Sequence, residues 1–221
     1  SQPIDQHIEK LTTAEDVCER IVAVHRLNER FVACGSHDEA MCLASELGNA
    51  RICKALVDLL VDGDSLVELA VQLMSNLCLH VGSAYELERA GAFSVVMATL
   101  RADEPLMRIA GLSLLVTLTD HPEMIAPLVR AGVVKLLCFL AKGTDYWPFI
   151  LEIADGVLRE TPFTVPERQR QQLRDVLVAA AHQQKAGRLP LALQDARRLT
   201  RLLITLRALN MAAPKPRQQK K

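Results

Sequence analysis

Aromatic residues are scarce in this sequence, and their scarcity argues against one large class of folds. Phe, Trp and Tyr make up 4 % of the 221 residues, although half of all residues are hydrophobic. The strands of β-sandwiches are rich in aromatic and β-branched side chains, whereas the Leu and Ala that are abundant here favour helices. The composition therefore predicts an all-α protein with a sizeable apolar core.

Long apolar runs, glycosylation acceptors and paired cysteines are also missing. No apolar run approaches the roughly 18–20 residues that a membrane-spanning helix needs. None of the four asparagines is followed two positions later by Ser or Thr. The six cysteines have no metal-ligand spacing, and most lie at apolar helix positions, which is typical of buried thiols in a reducing compartment. We therefore expect a cytoplasmic protein.

Motifs that carry catalysis are missing as well. The sequence contains no glycine-rich phosphate loop, no Gly-x-Ser-x-Gly elbow and no His-Glu-x-x-His zinc motif. We therefore expect no enzymatic activity, no bound metal or cofactor and no small-molecule substrate. The function is then expected to depend on the protein's surface.

What the sequence does contain is an internal repeat. The stretch 76–96 has a counterpart at 117–137, in which the positions that match at a separation of 41 include Leu77 and Leu118, His80 and His121, and Arg89-Ala-Gly91 and Arg130-Ala-Gly132. His37 also lies eleven residues before a glycine, Gly48, as His80 and His121 do. A period of about 40 residues is typical of helical solenoids, in which each unit stacks on the next to bury its apolar face.

Each unit has the same predicted order: a short helix, a glycine, an apolar second helix, a polar loop and a longer third helix. The first helices are predicted at 39–47, 84–90 and 123–131, the second at 52–60, 93–100 and 133–140, and the third at 66–79, 106–118 and 146–158. In the third helices the spacing of Ala70, Leu73 and Leu77, repeated as Gly111, Leu114 and Leu118, predicts a buried stripe. A small residue begins each stripe, which favours close approach of neighbouring helices.

This order of helices resembles the armadillo repeat, and the glycine between the first two helices argues against the related HEAT repeat. The resemblance covers three units, 37–79, 80–120 and 121–160, with 13–34 similar to the last helix of a partial unit before residue 37. It implies a right-handed α-solenoid, a superhelix of three-helix repeats, over residues 1–166. A helical cap or degenerate repeat is expected at 167–212, and a disordered basic tail at 213–221.

The resemblance also implies a binding surface, because the third helices line the concave wall of armadillo proteins. The polar positions predicted to face that wall are Glu68, Gln72, Asn76, Ser113, Thr117 and Glu152. Asn76 matches the asparagine with which armadillo domains of the importin-α and β-catenin type hold an extended peptide. An amide offers both a donor and an acceptor to a peptide bond. The alternative for these positions is a solvated helix face without a ligand.

Two departures from the family pattern restrict the class of partner that we expect. In nuclear-import adaptors a tryptophan precedes the asparagine by four residues, but Gln72 and Ser113 occupy those positions here, and Thr117 replaces the second asparagine. We therefore do not expect the protein to bind a basic localisation peptide. We expect a non-enzymatic scaffold or adaptor that binds a protein segment, either an extended peptide or a helix.

The charges are distributed unevenly along the chain. Residues 1–166 hold 13 Lys and Arg against 23 Asp and Glu, whereas residues 167–221 hold 13 against 3. Arg197, Arg198 and Arg201 are predicted to form a basic surface beside a Leu-rich face. The alternative function is therefore a regulator of a GTPase, kinase or motor that docks through the basic C-terminal region. Membrane contact through the basic tail stays open, and nucleic acid is not expected because no aromatic side chains interleave the basic ones.

The repeated histidines and two of the cysteines have structural interpretations. His37, His80 and His121 stand at equivalent positions, roughly 10 Å apart in a stack of helices, which is too far for one metal ion. We expect each to hydrogen-bond the last carbonyls of the third helix that it follows. Cys34 and Cys42 flank a turn and are predicted to be core thiols rather than a redox pair.

Overall fold

The computed structural model describes residues 4–62, 67–102, 104–143, 145–159 and 165–212, with side chains as far as 209. The described residues form thirteen α-helices and no strand. The helices are α1 (Ile4–Thr13), α2 (Val17–Val32), α3 (His37–Leu47), α4 (Ala50–Asp62), α5 (Val67–Leu77), α6 (Val81–Arg89), α7 (Ala92–Thr99), α8 (Pro105–Thr119), α9 (Pro122–Ala131), α10 (Val133–Leu140), α11 (Trp147–Arg159), α12 (Glu167–Lys185) and α13 (Leu193–Ala212).

The chain divides into two compact units, Ser1–Leu136 and Leu137–Lys221. The division into a solenoid at 1–166 and a cap at 167–212 describes repeats rather than compact units, and it stays a prediction. The predicted tail at 213–221 lies outside the described residues.

In the first unit, equivalent helices of successive repeats pack against one another. The third helices form one row, in which α2 packs on α5 and α5 packs on α8. The second helices form another row of α1, α4 and α7, and the first helices a third row of α3, α6 and α9. This stacking of like helices buries the apolar face that a single unit cannot cover alone.

The predicted stripe on the third helices is confirmed. Ala70, Leu73 and Leu77 are buried on α5, and Leu114 and Leu118 are buried on α8. The surroundings of Gly111 explain why the stripe on α8 begins with a small residue. A Cβ atom at this position would lie 2.6 Å from Leu100 Cδ2. Because Leu100 caps the end of α7, the absence of a side chain allows α8 to lie close to it.

The glycines between first and second helices have two different physical roles. Gly91 and Gly132 adopt left-handed backbone with φ of 85° and 100°, a conformation that glycine accepts readily at a helix break. Gly48 does not, since its φ is −77°. A Cβ atom at Gly48 would lie 1.8 Å from Oγ of Ser83, so the next repeat excludes a side chain there.

The partial repeat before residue 37 contains two helices, and the single helix predicted at 13–34 is wrong at its start. The first helix, α1, ends at Thr13, and Asp16 caps α2 by accepting a hydrogen bond from the Cys18 backbone N–H over 2.9 Å. An Asp at an N-cap is a strong local signal for a helix start. The sequence analysis missed it because it followed the apolar pattern through the break.

The expectation that each histidine closes its own third helix is wrong. His80 and His121 occupy the N-cap positions of α6 and α9 instead. The His121 Nε2–H donates over 2.6 Å to the carbonyl of Cys78. This carbonyl lies at the end of α5, in the preceding repeat. His121 therefore joins successive repeats rather than ending one helix.

The expectation that most cysteines are buried is wrong, because only Cys53 and Cys78 are buried; Cys34 and Cys138 are partly exposed, and Cys18 and Cys42 are exposed. Cys42 lies on the outer side of α3, so its interpretation as a core thiol is wrong. All six cysteines are free thiols. Burial raises the pKa of Cys53 from 9.0 to about 12, with a smaller contribution from the charge of Glu86.

In the second unit α13 packs against both α11 and α12. The side of α11 that faces the core is largely apolar and includes Trp147, Ile150 and Ile153, all buried. Asp155 is also buried on this helix and pairs with Arg159 on α11 and with Arg201 on α13. The second unit therefore combines an apolar core with a charged junction between two helices.

Candidate functional site

Five of the predicted binding residues lie on two neighbouring third helices of the first unit. Glu68, Gln72 and Asn76 are on α5, and Ser113 and Thr117 are on α8, which packs directly against α5. Gln72 is exposed, whereas the other four are partly buried. The sixth residue, Glu152, lies on α11 in the second unit.

Asn76 is part of the junction between two third helices. Its Nδ2 donates to Oδ1 of Asn28 on α2 over 3.0 Å, and Asn28 Nδ2 donates to the Leu69 carbonyl over 2.9 Å. Asn28 is 5 % exposed, so this polar pair lies between packed helices. The sequence analysis missed Asn28. The available signal was an asparagine beside the apolar stripe of α2, where a buried amide requires a partner.

Thr117 serves a similar purpose between α5 and α8. Its hydroxyl donates to the Ser113 carbonyl over 3.2 Å, and it lies 3.3 Å from the hydroxyl of Ser75. Since the Thr117 proton is used on Ser113, the Ser75 hydroxyl donates to Thr117. Asn76 and Thr117 thus each use hydrogen-bonding groups to join neighbouring third helices.

Gln72 has the free side-chain amide that the sequence analysis expected at Asn76. Its side chain is exposed one turn before Asn76 and makes no hydrogen bond within the described residues. The amide therefore presents both a carbonyl acceptor and N–H donors to solvent. Among the predicted residues, Gln72 is the one whose geometry best suits a contact with a peptide backbone.

Exposed apolar side chains lie on the same row of helices. Leu106 and Ile109 on α8 are 63 % and 47 % exposed, and they share a helix face with Ser113 because they precede it by seven and four residues. We call Glu68, Gln72, Leu106, Ile109 and Ser113 the third-helix face. It offers apolar contacts from α8 and an amide from α5.

Negative charge predominates in the first unit. Residues 1–136 contain 19 Asp and Glu against 11 Lys and Arg. On α2, Glu29 accepts a hydrogen bond from Arg26 over 2.7 Å, and this bond lowers the pKa of Glu29. Glu68 makes no ion pair within the described residues, so it leaves an uncompensated acidic side chain on the third-helix face.

The three arginines predicted as a basic surface differ in their surroundings. Arg201 makes two hydrogen bonds to Asp155, and Arg198 lies 3.6 Å from Glu152 and 3.9 Å from Asp195. Arg197 is exposed and makes no ion pair within the described residues. Glu152 and Arg198, which the sequence analysis placed in two different sites, are therefore ionic partners. As binding residues all four stay predictions.

Metal clusters and membrane-spanning helices are both absent from the described residues. No group of three or more His, Cys, Asp and Glu side chains in the described ranges is arranged to hold a metal ion. Among the described helices, none combines the length and the apolarity that a bilayer crossing requires.

Comparison with known proteins identifies the fold. No protein-family model matches the sequence, and no curated protein matches it either. Solved structures do match. A designed armadillo repeat protein, YIII(Dq)4CqI, is 16 % identical with a TM-score of 0.64, over 92 % of this chain and 100 % of the other. An engineered protein is 18 % identical with a TM-score of 0.71, over 93 % of this chain and 48 % of its own.

A second designed armadillo repeat protein, YIII(Dq.V1)4CPAF in complex with the peptide (KR)4, is 18 % identical with a TM-score of 0.67. The match covers 95 % of this chain and 90 % of the designed one. The chain thus has an armadillo-like repeat fold, and the prediction of an all-α, armadillo-type solenoid is confirmed. At such low identity the likeness concerns the fold alone.

Proposed function

We propose that the protein is a non-enzymatic scaffold that binds a segment of a partner protein on its third-helix face. One observation carries the proposal: three third helices pack side by side, and the exposed positions of two neighbouring ones include the free amide of Gln72 on α5 and the side chains of Leu106 and Ile109 on α8. The designed armadillo protein that was solved with a peptide supports the suitability of the fold for this task.

The proposed partner is an extended peptide or a helix with apolar side chains. Leu106 and Ile109 would anchor an apolar side chain of the segment, since burying such a side chain contributes roughly 1.5–3 kcal/mol. Gln72 would hydrogen-bond the backbone of the segment, which fixes its position rather than its sequence. The proposed setting is the cytoplasm, because six free thiols suit a reducing compartment.

A peptide library displayed on phage and selected against the purified chain would test the proposal. We expect selected peptides to bind at least tenfold more weakly to a variant carrying Gln72→Ala and Ile109→Asp. The matched control is Val61→Asp, which places the same charge on an apolar side chain that is 65 % exposed on α4, outside the row of third helices.

Equal loss of binding in the Val61→Asp variant would indicate a general effect of the added charge. Unchanged binding in the double variant would locate the site elsewhere and contradict the proposal. Asn76 and Thr117 are unsuitable for this test, because substituting them would also disturb the packing of the third helices.

A further inference from the structure

A cavity in the second unit combines converging positive charge with an apolar base. Its volume is about 380 Å³, and it is lined by residues of α11 and α13, namely Asp155, Leu158, Arg159, Arg201, Leu202 and Thr205. The backbone of both helices holds this arrangement in place, since α11 and α13 pack against each other. The cavity belongs to the second unit, whereas the third-helix face belongs to the first.

Two guanidinium groups meet on one carboxylate at this cavity. Arg201 donates through Nε to Asp155 Oδ1 over 3.2 Å and through Nη2 to Oδ2 over 2.6 Å. Arg159 donates through Nη2 to the same Oδ2 over 3.1 Å. Two positive charges against one negative charge leave an excess of one positive charge at the cavity.

The arginines are open to solvent, whereas the carboxylate is not. The side chains of Arg159 and Arg201 are 56 % and 62 % exposed, but that of Asp155 is 11 % exposed. Each guanidinium carries five N–H donors, and Nη1 of Arg201 and Nε and Nη1 of Arg159 make no hydrogen bond within the described residues. Asp155 thus orients both groups from below while their outer donors stay available.

The remaining lining residues define what else a ligand meets. Leu158 and Leu202 are 2 % and 1 % exposed and form an apolar base. Thr205 lies one turn after Arg201, and its hydroxyl makes no hydrogen bond within the described residues. The cavity therefore offers guanidinium and hydroxyl donors above an apolar surface, and a charged oxyanion on an apolar stem complements it.

We infer that this cavity binds an oxyanion group of a partner polypeptide, either the carboxylate of an acidic side chain or a phosphate on a modified one. Arg159 and Arg201 contact the oxyanion, and Asp155 is a positioning residue. Arginine is well suited to this role because its planar fork matches the geometry of carboxylate and phosphate oxygens. The inference is independent of the proposed function.

Three fluorescein-labelled peptides of sequence Gly-Leu-X-Leu-Gly, in which X is Ser, Glu or phosphoserine, test the inference by fluorescence anisotropy. We expect the Glu and phosphoserine peptides to bind the wild-type chain at least tenfold more tightly than the Ser peptide, and binding to weaken with added salt. Comparison of the two acidic forms distinguishes a carboxylate from a phosphate source. Equal binding of all three peptides would overturn the inference.

Substitutions of the arginines and of Asp155 should change the affinity for the acidic peptides in opposite directions. Arg201→Gln and Arg159→Gln should each weaken binding of the acidic peptides about tenfold, because each removes a charged donor. Asp155→Asn should strengthen binding several-fold, because it removes the competing negative charge while its one amide oxygen can still accept a hydrogen bond from an arginine. A variant that is merely misfolded would not bind more tightly, so this second change separates recognition from stability.

The matched control is Arg207→Gln, which removes an exposed charge from the same helix but not from the cavity lining. We expect it to leave binding within a factor of two. An equal loss in this variant, or weaker binding by Asp155→Asn, would overturn the inference. Inorganic phosphate that competes as strongly as the phosphoserine peptide would overturn the assignment to a polypeptide.

Discussion

The side-chain amide of Asn76 on α5 donates to Oδ1 of Asn28 on α2, and this bond of 3.0 Å joins the third helices of two successive repeats. Asn28 in turn donates to the Leu69 carbonyl on α5 over 2.9 Å. Both hydrogen-bond partners of the buried Asn28 amide thus belong to the neighbouring repeat. Such a link holds two helices at one relative position along their axes, which apolar packing alone specifies less sharply.

The Asn28 link predicts a large effect on stability. Asn28→Ala leaves the Nδ2 donor of Asn76 without its partner and should lower the free energy of unfolding by about 1–3 kcal/mol. Asn76→Ala leaves the buried Oδ1 of Asn28 without its donor and should likewise cost about 1–3 kcal/mol. Urea denaturation followed by circular dichroism measures both. Gln72→Ala, on the exposed side of α5, is the control and should change stability by less than about 0.5 kcal/mol.

Gly48 and Ser83 should be energetically coupled. A methyl group at Gly48 would overlap Ser83 Oγ, so Gly48→Ala should cost about 1–3 kcal/mol. Combining it with Ser83→Gly should cost less than the two single changes added together, by at least about 0.5 kcal/mol. Gly91→Ala is the contrast, since its cost should come from its φ of 85° and should not depend on Ser83. Strict additivity of Gly48→Ala and Ser83→Gly would contradict the close approach.

Gly111 should tolerate no added methyl group, whereas Gly143 should accept one. A Cβ atom at Gly111 would lie 2.6 Å from Leu100 Cδ2, and Gly111→Ala should therefore cost about 1–3 kcal/mol. At Gly143 the nearest atom is the Leu140 carbonyl oxygen at 3.6 Å, so Gly143→Ala should change stability by less than about 0.5 kcal/mol. Thermal denaturation of the two variants, compared with the wild type, measures the difference. Similar melting temperatures for both would be the contrary result.

The thiols should divide into two classes of reactivity. At pH 7.5 a maleimide should label the exposed Cys18 and Cys42 rapidly, and the buried Cys53 and Cys78 only after unfolding. Burial raises the pKa of Cys78 and, with a smaller contribution from Glu86, that of Cys53. Peptide mass spectrometry after timed labelling identifies each modified residue. Rapid labelling of Cys78 in the folded chain would contradict the packing of α5.

The raised pKa of Cys53 also predicts a dependence of stability on pH. The folded thiol keeps its proton to about pH 12, but the unfolded chain loses it above about pH 9. The contribution to stability is therefore fully present below about pH 9 and is lost as the pH rises toward about 12. Urea unfolding at pH 8 and pH 10 should show a smaller loss of stability in Cys53→Ala than in the wild type.

Much of the fold could be predicted from the sequence because the signals are local. The apolar period along each helix decides which side is buried, and Ala70, Leu73 and Leu77 are buried as that period requires. Left-handed glycines at positions 91 and 132 interrupt the chain where the repeat predicts a corner. The start of α2 was also marked locally, by Asp16, although the sequence analysis passed over it.

The candidate site was less predictable, since its character depends on residues from different repeats. The sequence placed Gln72 and Asn76 on one line of α5, but it could not indicate which of the two amides would hydrogen-bond a neighbouring helix. The amide of Asn76 donates a hydrogen bond to Asn28, which is 48 positions away in the chain, whereas the amide of Gln72 is exposed. The sequence could not indicate the ion pair of Arg198 and Glu152 either, because that pair forms only where α13 packs on α11.

The sequence by itself determined the repeat, its phase and the apolar side of each helix, because these follow from spacings of a few residues along one helix. The tertiary structure alone decided which polar side chains join neighbouring repeats and which remain available to a ligand. The physical reason is that a hydrogen bond or an ion pair between helices requires atoms to meet within about 3–4 Å. Only the stacking of whole helices fixes distances of that kind.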